Sequence, residues 1–147
     1  MHMQSLFTLT VLRGLSDVAL LWLRVLAGAF LMWGTWDNIV SSERMQEFVQ
    51  FLALLHCPAP ELAAPVSVYA QFIGGALIFI GLLTRWAGLV MAFNFVVAVA
   101  LLTLGGGEND FRTLFPPLMM IAIPLVLATH GPGRYAADTL LSGPQSR

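Results

Sequence analysis

Lysine is absent from this chain, and charge of either sign is scarce. Without lysine there is no Schiff-base nucleophile and no phosphate-binding site of the Walker type. Seven arginines against eight acids leave a net charge of −1, so no basic field exists to hold nucleic acid. The single cysteine, Cys57, excludes an internal disulfide and a dithiol redox cycle within one copy. Charged residues make up only 10% of the 147, where an ordinary soluble domain carries roughly 25%. What is abundant is apolar: 58% of residues are hydrophobic and the mean hydropathy is +0.80. One core of this size cannot hide so much apolar surface from water, so the composition defines an integral membrane protein, expected as a single domain over 1–147.

Four apolar runs are long enough to cross ~30 Å of hydrocarbon, about Val18–Ile39, Val66–Leu83, Trp86–Leu104 and Phe111–His130. In lipid each backbone N–H must be paired within its own segment, so these runs are predicted to be helices. A β-barrel does not fit, because the runs are continuously apolar instead of alternating. Between the second and third runs only Thr84-Arg85 is available, which predicts a tight hairpin. The joint after the first run is long. Within it, Ser42–Leu55 places Met45, Phe48, Val49, Leu52 and Leu55 on one helical face, with Glu43, Arg44, Gln46, Glu47 and Gln50 mostly elsewhere. That pattern predicts an amphipathic helix on the membrane surface. The Thr-rich stretch Ser5–Leu15 is read as a second interfacial segment and not as a cleavable signal, since no basic region precedes it. The expected architecture is therefore an all-α four-helix transmembrane bundle, with one interfacial helix between the first and second spans.

Four spans place both termini on one side of the membrane. That side holds Arg13, Arg85, Arg134 and Arg147, and the other holds Arg44 and Arg112, which predicts cytoplasmic termini. Trp22, Trp33, Trp36 and Trp86 are placed as an aromatic belt. Small residues at Ala70/Gly74 and Gly88/Ala92 predict close helix approach. Pro124 is expected to kink the fourth span, and Pro116 and Pro117 to sit in its first turns.

Three pieces, in this order, resemble one family: Leu23-Arg24-Val25-Leu26-Ala27-Gly28-Ala29-Phe30 with Gly34; Phe72-Ile73-Gly74-Gly75 running to Gly81-Leu82-Leu83-Thr84-Arg85; and Gly131-Pro132-Gly133-Arg134-Tyr135-Ala136-Ala137-Asp138. Together they are similar to the DoxX family of small four-helix bacterial membrane proteins, over about Leu20–Leu141. The resemblance implies a multi-pass protein of the bacterial cytoplasmic (inner) membrane. Because the family is named for a subunit linked to thiosulfate:quinone oxidoreduction, it also implies a redox- or quinone-linked subunit. Two departures stand out. Many relatives carry an acid at the position of Gln71 and a lysine near Asp37-Asn38, so chemistry needing either charge is not expected here.

Candidate ligand-binding residues are those whose polarity is out of place in an apolar span. Arg24 lies about six residues inside the first span, roughly 9 Å deep. The plainer reading is snorkelling to the headgroups, and the functional one is a buried anchor for a ligand carbonyl, a phosphate or a polar network. Asn94 is eight residues into the third span from the same side and is placed to meet it. Toward the other face, Trp33, Trp36, Asp37, Asn38 and Gln71 share a depth, with Asp110 and Arg112 entering from the fourth span. They read either as interfacial aromatics with helix-end polar groups or as a pocket with aromatic walls. A flat quinone ring wants apolar walls with one or two donors at its carbonyls. His130 reads as a helix C-terminal partner. His56-Cys57 supplies two metal ligands without a third, so no metal is assigned, and no pair of span histidines exists to hold haem.

The function expected is a DoxX-like membrane subunit of a redox or quinone-linked system, with the bilayer and a redox protein as partners and a second copy of the chain left open. The competing readings are a non-catalytic anchor or assembly partner of another enzyme, and a small-molecule or metal carrier. Quinone is the cofactor class entertained, and no catalytic residue is assigned.

Overall fold

The computed structural model describes residues 14–107 and 110–142. The Ser5–Leu15 stretch before Gly14, together with Arg13, Glu108 and Arg147, lies outside them. Among the described residues six helices follow in order: α1 (Ser16–Val40), α2 (Ser42–Leu54), α3 (Pro60–Ile80), α4 (Thr84–Leu104), α5 (Phe111–His130) and the short α6 (Ala137–Ser142). The described residues form no strand, and α1, α3, α4 and α5 are each long and apolar enough to cross a membrane. The chain is an all-helical, four-span membrane bundle.

The expected surface helix is α2. One residue, Ser41, turns the chain into it. Its backbone is extended, its N–H closes α1 on the Asp37 carbonyl (3.0 Å), and its hydroxyl accepts from the Arg44 N–H (3.3 Å). The face predicted to be apolar is turned inward, with Leu52 and Leu55 buried and Met45, Phe48 and Val49 half-buried.

Three span boundaries differ from the sequence reading. Helix α3 begins at Pro60 and runs through Pro65, where the sequence suggested a start after that proline. Pro60 sits at the first helical position, where its missing N–H costs nothing, and Pro65 removes one hydrogen bond without stopping the helix. At the other end α3 stops at Ile80. Leu82 and Leu83 therefore belong to the turn, and Thr84 and Arg85 open α4 instead of forming the joint. The cause is Gly81, in the left-handed region (φ 75°), where the Gly81 N–H returns to the Ile78 carbonyl and the Leu82 N–H to Leu77 (2.9 Å), a Schellman closure. In α5, Pro116 and Pro117 stand at the sixth and seventh helical positions, beyond the first turn, and the helix is continuous through Pro124.

Packing is closest within the pairs α1–α3 and α4–α5. A Cβ on Gly28 would lie 2.6 Å from the Gly75 carbonyl, and one on Gly75 would lie 2.8 Å from the Leu31 Cβ, so these backbones touch. Gly88 stands in the same relation to the Pro124 carbonyl at 2.6 Å. Leu31, Ile78, Ala87, Met91, Met120 and Leu127 join the two pairs in one core.

The end of the bundle that carries the α3–α4 turn is locked by side chains reaching across it. Helix ends leave carbonyls and N–H groups without partners, and lipid supplies none. Arg24, 2% exposed, donates from Nε to the Ile78 carbonyl (3.1 Å), from Nη1 to Pro132 (2.7 Å), and from Nη2 to Tyr135 (2.9 Å) and Phe79 (3.5 Å). Arg85 Nη1 caps α5 through the carbonyls of Ala128 and Thr129, both at 2.8 Å. The Asp138 carboxylate caps α4, accepting from the N–H groups of Leu83 (2.7 Å) and Thr84 (2.9 Å). Asp17 accepts from the Arg134 N–H at 3.0 Å. Most of the residues that carry the family resemblance at this end are thus the residues that close the helices.

Candidate functional site

Toward the other end, the seam between α1 and α5 is lightly packed, and a cavity of about 220 Å³ lies in it. Phe30, Leu31 and Gly34 of α1 form one wall. Phe95 of α4 with Pro116, Pro117 and Met120 of α5 form the other, and Gln71 of α3 faces in as the one polar side chain of the lining. Gln71 is nine residues from the end of α3, roughly 14 Å along the axis, which places it near the middle of the hydrocarbon.

Gln71 is held from behind. Its Nε2 donates to Ser67 Oγ (3.0 Å), one helical turn earlier, and Ser67 Oγ donates to Asn94 Oδ1 on α4 (3.0 Å). The chain of three fixes the Gln71 amide and leaves it one N–H and its carbonyl oxygen for a ligand. Asn94 Nδ2, by contrast, is buried without a partner. An orphaned amide donor in a low-dielectric interior costs about 1–3 kcal/mol.

A second, more open hollow of about 340 Å³ adjoins the cavity along α1, lined by Trp33, Gly34, Trp36 and Asp37. Gly34 borders both spaces. The Trp36 ring packs near Phe72 (centroids 6.0 Å apart), while Trp33 is 84% exposed on the outside of the bundle.

The sequence candidates therefore separate into three groups. Trp33, Trp36 and Asp37 line one hollow and Gln71 lines the other, with Gly34 bordering both. Asn94 joins them through Ser67, and does not meet Arg24. Arg24 bonds at the level of Ile78 and Asn94 at the level of Ser67, eleven residues apart along α3 and so roughly 16 Å. Arg24 neither snorkels nor faces the cavity. Four of its donor contacts go to backbone carbonyls of the chain itself. Arg112 lines neither hollow and is exposed at the start of α5. Beside it, Asp110 caps that helix on the Thr113 N–H (2.8 Å), and hydrogen bonding to Thr113 holds its carboxyl below the usual range. Asn38 serves the α1–α2 joint, donating to the Arg44 carbonyl. His130 sits at the end of α5, its Nδ1 3.2 Å from the Val126 carbonyl.

Sequence reasoning missed Ser67 and the position of Gly34. Ser67 had a readable signal, since Ser67 and Gln71 are four apart and share one face of an otherwise apolar helix. Gly34 was legible only as one residue of the family pattern, because nothing in the sequence shows that the space beside it is empty.

Fold and site together describe a small four-span membrane protein with a half-open apolar cavity, served by one fixed amide, in the seam of its bundle. The DoxX family model matches residues 19–104, well over half the sequence, and the chain belongs to that family. The match includes Arg24, Gly34, Gln71, Gly81 and Asn94, while α5 and the closing Gly131–Asp138 segment lie beyond it. Among characterised sequences the chain is 26% identical over 132 residues to the inner membrane protein YqjF of Escherichia coli (strain K12), covering 89% of this chain and 98% of that one. No solved structure matches it.

Proposed function

We propose that this protein is a quinone-docking membrane subunit of a redox system. The observation that carries the reading is the Gln71 amide, fixed by Ser67 and Asn94, as the one polar group in an apolar mid-membrane cavity. Such a site suits a flat, lipid-soluble ring with a carbonyl acceptor, which the remaining Gln71 N–H would meet. No residue lining the cavity titrates, and a glutamine stands where many relatives have an acid. The chain therefore holds and orients the ring, and a partner protein supplies the electrons. Among the described residues, Asp37 is the one ionisable side chain on the two hollows. Tryptophan fluorescence of the purified chain in lipid nanodiscs, titrated with a decyl-substituted benzoquinone, tests this. Wild type is expected to show saturable quenching, and Gln71→Leu a roughly tenfold weaker affinity, the worth of one buried hydrogen bond. Quenching that never saturates would remove the reading.

We further propose that the protein lies in a bacterial inner membrane with both termini in the cytoplasm. Its relative's location supports the first point. For the second, the support is the count along the sequence, four arginines (Arg13, Arg85, Arg134 and Arg147) on the side of the termini against two (Arg44 and Arg112) on the other. A reporter enzyme fused after Arg147 is expected to be active only in its cytoplasmic form. Activity of a periplasmic reporter there would invert the topology and turn the Trp33–Trp36 hollow toward the cytoplasm.

A further inference from the structure

We propose that Gly34 is a doorway, through which a ring bearing a long hydrocarbon chain passes sideways between the bilayer and the seam cavity, leaving its chain along Trp33 and Trp36. The inference rests on the ring-docking reading above and adds the ligand class, a tailed membrane compound, and its route.

Size is the first ground. The cavity, at about 220 Å³, is smaller than the roughly 300–1,000 Å³ that encloses a whole drug-sized ligand. It has room for a ring and none for a chain. The larger hollow beside it, about 340 Å³, is open along α1 and walled by two indoles, so it can take the chain. A compact, water-soluble ligand would leave the two indoles of that hollow unused.

The glycine itself is the second ground. Gly28, Gly75 and Gly88 are demanded by packing, because a Cβ on any of them would strike a neighbouring helix. At Gly34 a Cβ would meet nothing within 4 Å, and the helix there is regular. Neither contact nor backbone conformation calls for glycine. Yet this is the residue bordering both hollows, one of which is lined by both α1 and α5. A long side chain here would project into the open space that both hollows border. The lock that holds the helices together lies at the opposite end of the bundle, at Arg24 and Asp138, so the seam beside Gly34 has no cross-strap of that kind among the described residues.

A doorway and a binding wall differ in kinetics. Blocking a doorway slows arrival and departure alike and leaves affinity nearly unchanged, whereas damaging a wall speeds departure. Stopped-flow tryptophan quenching in phosphatidylcholine nanodiscs, with the decyl-substituted benzoquinone as probe, would compare wild type, Gly34→Ala and Gly34→Leu. Association and dissociation are expected to slow together, by roughly tenfold in Gly34→Leu and less in Gly34→Ala, since access through an obstructed path lowers the on-rate. If wild type binds and Gly34→Leu exchanges at the wild-type rate, the doorway falls and the cavity reading stands. If Gly34→Leu loses affinity through faster dissociation, Gly34 is part of the binding wall and the doorway is again overturned. Conversion of a wild-type dimer to a monomer by Gly34→Leu, with exchange unchanged, would make Gly34 an interface residue instead. Absence of saturable binding in wild type would end both proposals.

Discussion

Arg24→Leu is expected to melt far below wild type in detergent, or to fail to accumulate in the membrane, while Arg44→Leu melts with wild type. The two substitutions remove the same charge from opposite circumstances. Arg44 is exposed on α2 and pairs with Glu47 on the same surface helix (2.9 Å), an arrangement that contributes little to stability. Arg24 is 2% exposed and bonds to segments that are distant in sequence. Its removal leaves the Pro132 and Tyr135 carbonyls without the donors seen here, and takes one from Phe79; Ile78 retains the Gly81 N–H. Part-buried acceptors left without a donor cost at most about 1–3 kcal/mol each, so the loss is on the order of 2–4 kcal/mol once the vacated volume is included. Arg24→Lys should recover only part of it, because an ammonium presents its donors from one point where the guanidinium spreads them over a plane. Equal melting of Arg24→Leu and Arg44→Leu would show that the reach of Arg24 across the bundle is energetically idle.

Gly81→Ala is expected to destabilise the protein by a comparable amount, about 2–4 kcal/mol from the sum of a left-handed backbone and a steric clash. Its φ of 75° is costly for an L side chain, and the added Cβ would lie 2.7 Å from both Ala136 Cβ and Arg24 Cζ. The methyl group would therefore strain the α3–α4 turn and push against the guanidinium that holds the end of the bundle. Gly34→Ala is the matched control, since its Cβ meets nothing. Thermal unfolding of the two variants in detergent, followed by loss of monodisperse protein, should separate them clearly. If Gly81→Ala melts with Gly34→Ala, the turn has room that its contacts do not indicate.

These two residues also show why the resemblance was readable before its cause. Gly81 and Arg24 sit 57 positions apart and belong to different pieces of the family pattern. Only folding brings the guanidinium beside the glycine, with Pro132 and Tyr135 from the third piece as its acceptors. Read singly, Arg24 looks like a charge stranded in lipid, and snorkelling is its simplest escape. The bundle offers another, because three chain segments end or turn around its depth and present carbonyls that lipid cannot satisfy.

The sequence by itself determined that this is a membrane protein of four helical spans with an amphipathic helix after the first. Those properties follow from local requirements. A bilayer sets the length of each run, backbone pairing makes it a helix, and the 3.6-residue period of Ser42–Leu55 marks the apolar face of α2. The similar depths of Trp33, Trp36, Asp37 and Gln71 were legible for the same reason, since depth in a membrane is counted along the chain. Tertiary structure alone decided the rest: that Asn94 answers Ser67 and not Arg24, that Arg24 closes helix ends, that Arg112 stands apart, and that Gly34 borders two hollows. Each of these depends on which helix faces which and at what rotation. In this bundle close approaches of small residues such as Gly28 to Gly75 and Gly88 to Pro124 set those relations, and no single helix carries that information in its own pattern of apolar residues.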